Sequence, residues 1–247
     1  MAEISMVKLS PIHAQKASEL LAAQIRRQIL SNTLPTGAKL PTERDLIAQT
    51  GLSRSSVREA MRILEAENLI ATRPGRFGGT VANKPDDASL GRSLSLFVYG
   101  RRVRLPSLLQ TREAIEPVLA ELAAINRSDE ELELLCKTTE RVEEAFNELP
   151  QFLQANVDWH IGIAAASHNE VLRAVMISIS NLIYKATATE NFTTEAIREQ
   201  VIQAHRRILE AIVAKDGAAA RRRMGRHLAA VTAAMSPYAD IPLELDV

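Results

Sequence analysis

The sequence predicts a mainly α protein: an N-terminal helix-turn-helix with a two-stranded wing, joined to an all-helical bundle. Three observations point there. Residues 40–82 set two short helical periods, separated by a glycine stop, ahead of a Gly/Pro hairpin. Beyond Asn83, apolar residues recur at helical spacing and no convincing strand follows. Charge divides at the same place: residues 1–84 carry 12 Lys and Arg against 7 Asp and Glu, and residues 85–247 carry 18 against 23. A basic head on an acidic body is the footprint of a chain that meets polyanion at one end only.

Residues 1–12 read as a loose leader ending near Pro11, and residues 13–30 as an amphipathic helix marked by Ala17, Leu20, Leu21, Ile25, Ile29 and Leu30. Arg26 and Arg27 read as part of its solvated face. After the Leu34-Pro35-Thr36-Gly37 turn, Thr42 is the expected N-cap of a second helix, with Asp45 as an acidic capping-box partner and Leu46, Ile47 and Ala48 on the buried side. Gly51 ends it, since glycine takes the left-handed conformation without strain. Ser53 then caps a third helix, in which Val57, Ala60, Met61 and Leu64 line one face.

Arg54, Ser55, Ser56 and Arg58 crowd the other face of that helix at its start. Cations there oppose the helix dipole, which favours negative charge at an N-terminus. A phosphate backbone or guanine edges in a major groove would supply the missing anion, the docking mode of a recognition helix. A solvated basic helix in an ordinary small bundle stays open on these residues alone. The wing argues against it: strands at residues 69–72 and 80–82 flank a tip in which Arg73 and Arg76 surround Gly75, suited to a minor groove.

The run PTERDLIAQTGLSRSSVREAMRILEAENLI, followed by RPGRFGGTVA, resembles the winged-helix head of the GntR superfamily of bacterial transcription regulators. The resemblance implies contact with double-stranded operator DNA by Arg44, Ser53, Arg54, Ser55, Ser56, Arg58 and Gly75, beside the wing's own Arg73 and Arg76.

Residues 83–87, Asn-Lys-Pro-Asp-Asp, read as a polar joint, and the boundary is placed between domains 1–84 and 85–247. Helices are expected at residues 90–98, 105–126 (kinked at Pro117), 129–149, 151–167, 170–187, 193–215 and 217–235, with short connections and a tail from Ser236. No apolar run is long enough to cross a bilayer and the N-terminus lacks a signal-peptide core, so a cytoplasmic protein is expected. The single Cys136 excludes an intramolecular disulfide and, among Leu132, Leu134 and Leu135, reads as a buried thiol.

Three histidines lie on apolar helix faces. His160 shares a face with Asn156, Phe152 and Ile163; His205 sits on the Ile197, Val201, Ile208, Ile212 seam; His227 falls between Met224 and Val231. Two readings stand on the residues alone: core histidines satisfied by neighbours, or ligands of one shared ion. Arg112 is equally open, as a surface pair with Glu116 or as a bidentate clamp for a carboxylate. His168 reads as a helix-end residue. The three arginines 221–223 read as a solvated face, with room for one to reach a cavity.

The segments LLQTREAIEPVLAELAA, NVDWHIGIAAASHNEVL, AHRRILEAI and RHL resemble the all-helical effector domain of the FadR-like branch, the FCD type. That implies a homodimer on a pseudo-palindromic site, a small organic acid held by Arg112, and a divalent ion (Zn, Ni or similar) held by Asn156, His160, His205 and His227. Asn156 stands where the family usually has Asp, so weaker metal binding is expected. The rival is a metal-dependent hydrolase or lyase acting on a small organic acid. Against it, the sequence shows no Glu or Asp placed as a general base on the histidine faces. A sequence-blind architectural DNA binder is a further rival.

Overall fold

A computed structural model describes residues 16–73, 79–187 and 193–235. The chain divides into two compact units, Met1–Asp86 and Asp87–Val247.

In the first unit, α1 (Ala17–Leu30), α2 (Glu43–Thr50) and α3 (Arg54–Ala66) precede β1 (Ile70–Arg73) and β2 (Gly79–Ala82). Val57, Ala60 and Leu64 of α3 pack with Leu21, Ala22, Ile25 and Ile29 of α1 in one apolar core. Both expected caps form. Thr42 and Asp45 make a reciprocal capping box, and the Ser53 hydroxyl accepts from Ser56 N at 3.2 Å. Gly51 takes φ +70°, which sets the tight α2–α3 turn. The strands pair antiparallel from Ile70 opposite Ala82 to Arg73 opposite Gly79, and Lys39 adds an isolated bridge to Val81. Three details differ from expectation. Leu20 and Leu30 of α1 and Ala48 of α2 face outward. Arg26 is bound within the unit, donating from Nε and Nη2 to the Glu67 carboxylate at 2.8 and 2.6 Å.

The second unit contains α4 (Asp87–Gly100), α5 (Leu105–Asn126), α6 (Asp129–Glu144), α7 (Leu149–Ala166), α8 (Glu170–Thr187), α9 (Glu195–Val213) and α10 (Gly217–Met235). Helix α5 is the central element, packed by α7, α8, α9 and α10. Pro106 and Pro150 fall in the first turns of α5 and α7, where a missing N–H costs no intrahelical bond. For that reason α7 begins earlier than the residue after Pro150. Pro117 lies within α5, which runs as one helix. Helix α6 ends at Glu144, five residues short of expectation, because Ala145 to Glu148 form a turn that leads into α7. Ser128 and Glu131 cap α6 reciprocally. The core is built around Trp159, Phe152, Leu119, Ile163, Ile208 and Met224, all nearly solvent-free. Trp159 Nε1 donates to Thr139 Oγ1 at 2.9 Å, so its one polar atom is satisfied. Cys136 is free and half-buried rather than fully buried. No helix among the described residues is long and apolar enough to cross a membrane.

Candidate functional site

In the first unit, Arg44, Ser53, Arg54, Ser55 and Arg58 are exposed and Ser56 is half-buried. The three serines cluster at the start of α3: Ser53 Oγ lies 2.9 Å from Ser55 Oγ and 3.0 Å from Ser56 Oγ. Arg58 has one loose ion pair, Nε to Glu43 Oε1 at 4.0 Å, with its side chain 57% exposed. Such a contact is worth little and leaves the guanidinium available. Arg73 ends β1, exposed. Gly75 and Arg76, and also His13, lie outside the described residues.

In the second unit, a cavity of about 60 Å³ is lined by residues of α5, α7, α8, α9 and α10, including Arg112, Asn156, His160 and His227. The three seam histidines converge. Their ring centroids lie 5.2 Å (His160–His205), 5.5 Å (His160–His227) and 5.0 Å (His205–His227) apart. One nitrogen from each falls within 4.8 Å of one from each of the others. Trp159 stacks flat on His205 at 3.5 Å between centroids and 3° between planes, which fixes that ring's orientation.

Burial keeps all three imidazoles neutral. It pushes His227 down to about 3, with the neighbouring His160 and Arg112 adding to the shift. His205 is driven well below its ordinary value by burial and then by His227 and His160. His160 is lowered less, because the Glu116 carboxylate partly offsets burial.

Glu116 is the residue that sequence reasoning undervalued. The Arg112–Glu116 pair forms, but in the interior: Arg112 Nε donates to Glu116 Oε1 with both side chains almost solvent-free. Its other oxygen, Oε2, lies 2.5 Å from His160 Nδ1. Burial alone would raise the Glu116 carboxyl, but Arg112 and then His160 overcome it and hold the group at about 2. Glu116 is therefore ionised and favours a proton on His160 Nδ1, leaving Nε2 as the lone-pair donor. The expectation that no acid lies on the histidine faces is thus corrected. As a general base Glu116 is poor, since its proton affinity lies far below neutrality.

Several buried atoms lack a hydrogen-bond partner: both ring nitrogens of His205, Oδ1 of Asn156 and Nη2 of Arg112. Each such group costs about 1–3 kcal/mol. Neutral imidazoles with free lone pairs and an amide oxygen form a donor set suited to a divalent transition ion.

The other sequence candidates lie elsewhere. Asp158 binds Arg141 at 3.1 Å and Gln154 at 2.8 Å. His168, at φ +56° after α7, lies 2.9 Å from Glu131 Oε2. Arg221 pairs with Glu121, Arg223 with Glu210, and none of residues 221–223 lines the cavity.

Comparison with known proteins bears on both units. Residues 17–80 match the bacterial regulatory proteins of the gntR family, and residues 107–230 match the FCD domain. The putative L-lactate dehydrogenase operon regulatory protein of Escherichia coli (strain K12) is 30% identical over 234 residues, 91% of this chain and 88% of the relative. The HTH-type transcriptional regulator LutR of Bacillus subtilis (strain 168) is 29% identical over 216 residues, 85% of this chain and 97% of the relative. The solved structure of Streptococcus agalactiae GntR aligns with a TM-score of 0.69 at 30% identity, covering 87% of this chain and 99% of that one. With an exposed, cation-bearing recognition helix in one unit and a polar cavity in an all-helical other, the chain belongs to the GntR family of bacterial transcription regulators, of the type that joins a winged DNA-binding head to an FCD effector domain.

Proposed function

We propose that this regulator is a cytoplasmic repressor that binds a pseudo-palindromic operator as a homodimer and is released by a small organic acid. The single observation that supports the effector reading is the set of unpartnered polar atoms facing one small cavity. A buried guanidinium arm with no acceptor is matched by a carboxylate.

In this reading His160, His205, His227 and Asn156 hold a divalent ion, which supplies a fixed positive charge to attract the acid. Glu116 keeps His160 in the tautomer that donates from Nε2. Arg112, anchored through Nε by Glu116, presents Nη2 to the carboxylate. The α3 face with Arg54, Arg58 and the serine cluster enters the major groove, with Arg44 and the wing residues Arg73, Gly75 and Arg76 on the backbone and minor groove. Two heads are needed because one short recognition helix reads too few base pairs for genomic specificity.

Coupling is assigned to α8. It lines the cavity through Met176, Ser180 and Ile183, and its Arg173 Nη2 holds Asp87, the first residue of α4, at 2.7 Å. A ligand that moves α8 therefore acts on the point where the 83–87 joint enters the second unit. The effector shifts the equilibrium only by its difference in affinity between states.

The test is fluorescence anisotropy on operator duplexes selected from a random pool, with light scattering for mass. Dimer-sized particles, tight binding to paired half-sites, and release by an acid in wild type but not in Arg112→Met support the proposal. Equal affinity for operator and random duplex would return the architectural reading. Unchanged release in His160→Ala would remove the metal from it.

A further inference from the structure

We infer that the acid accepted here is a compact monocarboxylate of about four to six non-hydrogen atoms, and that polyhydroxylated sugar acids and tricarboxylates are excluded. This deepens the effector reading and rests on it. Three independent features of the cavity lead to it.

The first is room. The cavity measures about 60 Å³. A water-sized occupant takes roughly 10–15 Å³ on that measure, which leaves space for about four to six such units. A six-carbon uronic acid or a tricarboxylate has about twice that number of heavy atoms, and closely packed walls do not yield that much without displaced side chains.

The second is the chemistry of the walls. Phe152, Val157, Met176, Val201 and Val231 present only carbon and sulfur to the interior. The Ser180 hydroxyl donates its proton to the Met176 carbonyl at 2.7 Å, and Tyr184 and Thr193 have interaction partners of their own. A sugar acid buried here would leave several hydroxyls without matching groups, each a desolvation loss. A short alkyl tail meets no such cost.

The third is charge. Arg112 and Glu116 neutralise one another, Asn156 is neutral, and burial leaves His160, His205 and His227 uncharged. The protein wall therefore sums to zero around the cavity. One divalent ion balances one carboxylate with charge to spare, while three carboxylates would leave excess anion in a site without solvent. The free Arg112 Nη2 gives a directed donor for one carboxylate group. The acid's carboxylate end is thus fixed at Arg112, and its tail lies among Met176, Val201 and Val231.

Isothermal titration of the full-length protein with added Zn²⁺ tests this with defined probes: glycolate, lactate, pyruvate and butyrate against glucuronate, galacturonate and citrate. The short acids should bind at least tenfold more tightly than any of the larger three. Met176→Ala, or Val231→Ala should the first variant fold poorly, should extend tolerance toward 2-hydroxyhexanoate by about tenfold and leave glucuronate weak. Tight binding of glucuronate or citrate with the short acids silent overturns this inference and leaves the effector reading standing. Silence of every acid, with Zn²⁺ bound, overturns both.

Discussion

Replacing Glu116 by Gln removes one charge and almost no volume, so its effect isolates the buried network. Glu116 is held at about 2 against an ordinary carboxyl value of 4.5. At about 1.4 kcal/mol per unit, that difference corresponds to about 3 kcal/mol of stability near neutral pH. It agrees with the roughly 3–5 kcal/mol typical of removing one partner from a buried ion pair. The folded-state value is depressed, so the contribution is present above 4.5 and disappears as pH falls from 4.5 toward 2. Glu116→Gln should therefore lower the melting temperature of chelator-treated protein by about 6–12 °C at pH 7, using roughly 2–4 °C per kcal/mol for a domain of this size. The variant should also lose the wild-type fall in stability between pH 4.5 and 2. A second readout separates the network from mere packing. With the carboxylate gone, the preferred tautomer of His160 is no longer enforced, and Zn²⁺ affinity should fall about 10–100-fold. A melting temperature within about 2 °C of wild type, together with unchanged Zn²⁺ affinity, would refute the reasoning.

Arg54→Ala and Arg58→Ala should each abolish operator retention in anisotropy and leave the melting temperature unchanged, because both side chains are exposed and Arg58 has only a 4.0 Å ion pair; a large loss of stability would make these arginines structural. Metal-free protein should lose stability as pH falls below about 6.5, measured by denaturant titration. Unfolded histidines take up protons there, while His160, His205 and His227 stay neutral until far lower pH, His227 to about 3. Added Zn²⁺ should move that loss to lower pH, and a flat profile across 6.5 to 4.5 would contradict the buried cluster. Arg173→Met should leave acid binding and operator affinity within about threefold of wild type but weaken acid-induced release, read as the operator affinity ratio with and without acid; an unchanged ratio removes the Asp87 contact from the coupling path.

The sequence makes the fold legible because most of its signals are local. Thr42, Gly51, Ser53, Ser128 and Thr194 each announce a helix boundary through one side chain or one backbone angle, and each does so in the structure. The errors fall where proline was taken as a stop, at Pro150, and where an apolar residue was assumed buried, at Leu20, Leu30 and Ala48. The histidine cluster was partly legible, since seam periodicity places three imidazoles inward without saying that they meet. What was not legible is depth. An Arg and a Glu four apart look alike on a surface helix and in a core. Yet Arg112 and Glu116 continue the seam of Leu108, Leu109, Leu119, Ala120 and Ala123, and a charged pair on an otherwise buried seam is the signal that was available.

A domain that keeps several polar atoms unpartnered in its interior is one whose stability depends on what binds there. His205, Asn156 and Arg112 together forfeit a few kcal/mol relative to a fully satisfied core. A ligand that satisfies them stabilises its preferred state by about 2.7 kcal/mol at a hundredfold excess over Kd. Reversing a two-state balance from 1:99 to 99:1 requires about 5.5 kcal/mol of differential affinity. One ligand at that excess falls short, whereas an ion and an acid sharing the site reach it together. The same bookkeeping separates a switch from a catalyst. Glu116, the carboxylate that touches His160, is committed to Arg112 and His160 and ionised far below neutrality, so it orients the site and is not free to move protons. An arrangement in which the acid is fixed, the histidines are neutral and the free atoms await a ligand stores binding energy for a conformational change in α8 and α4.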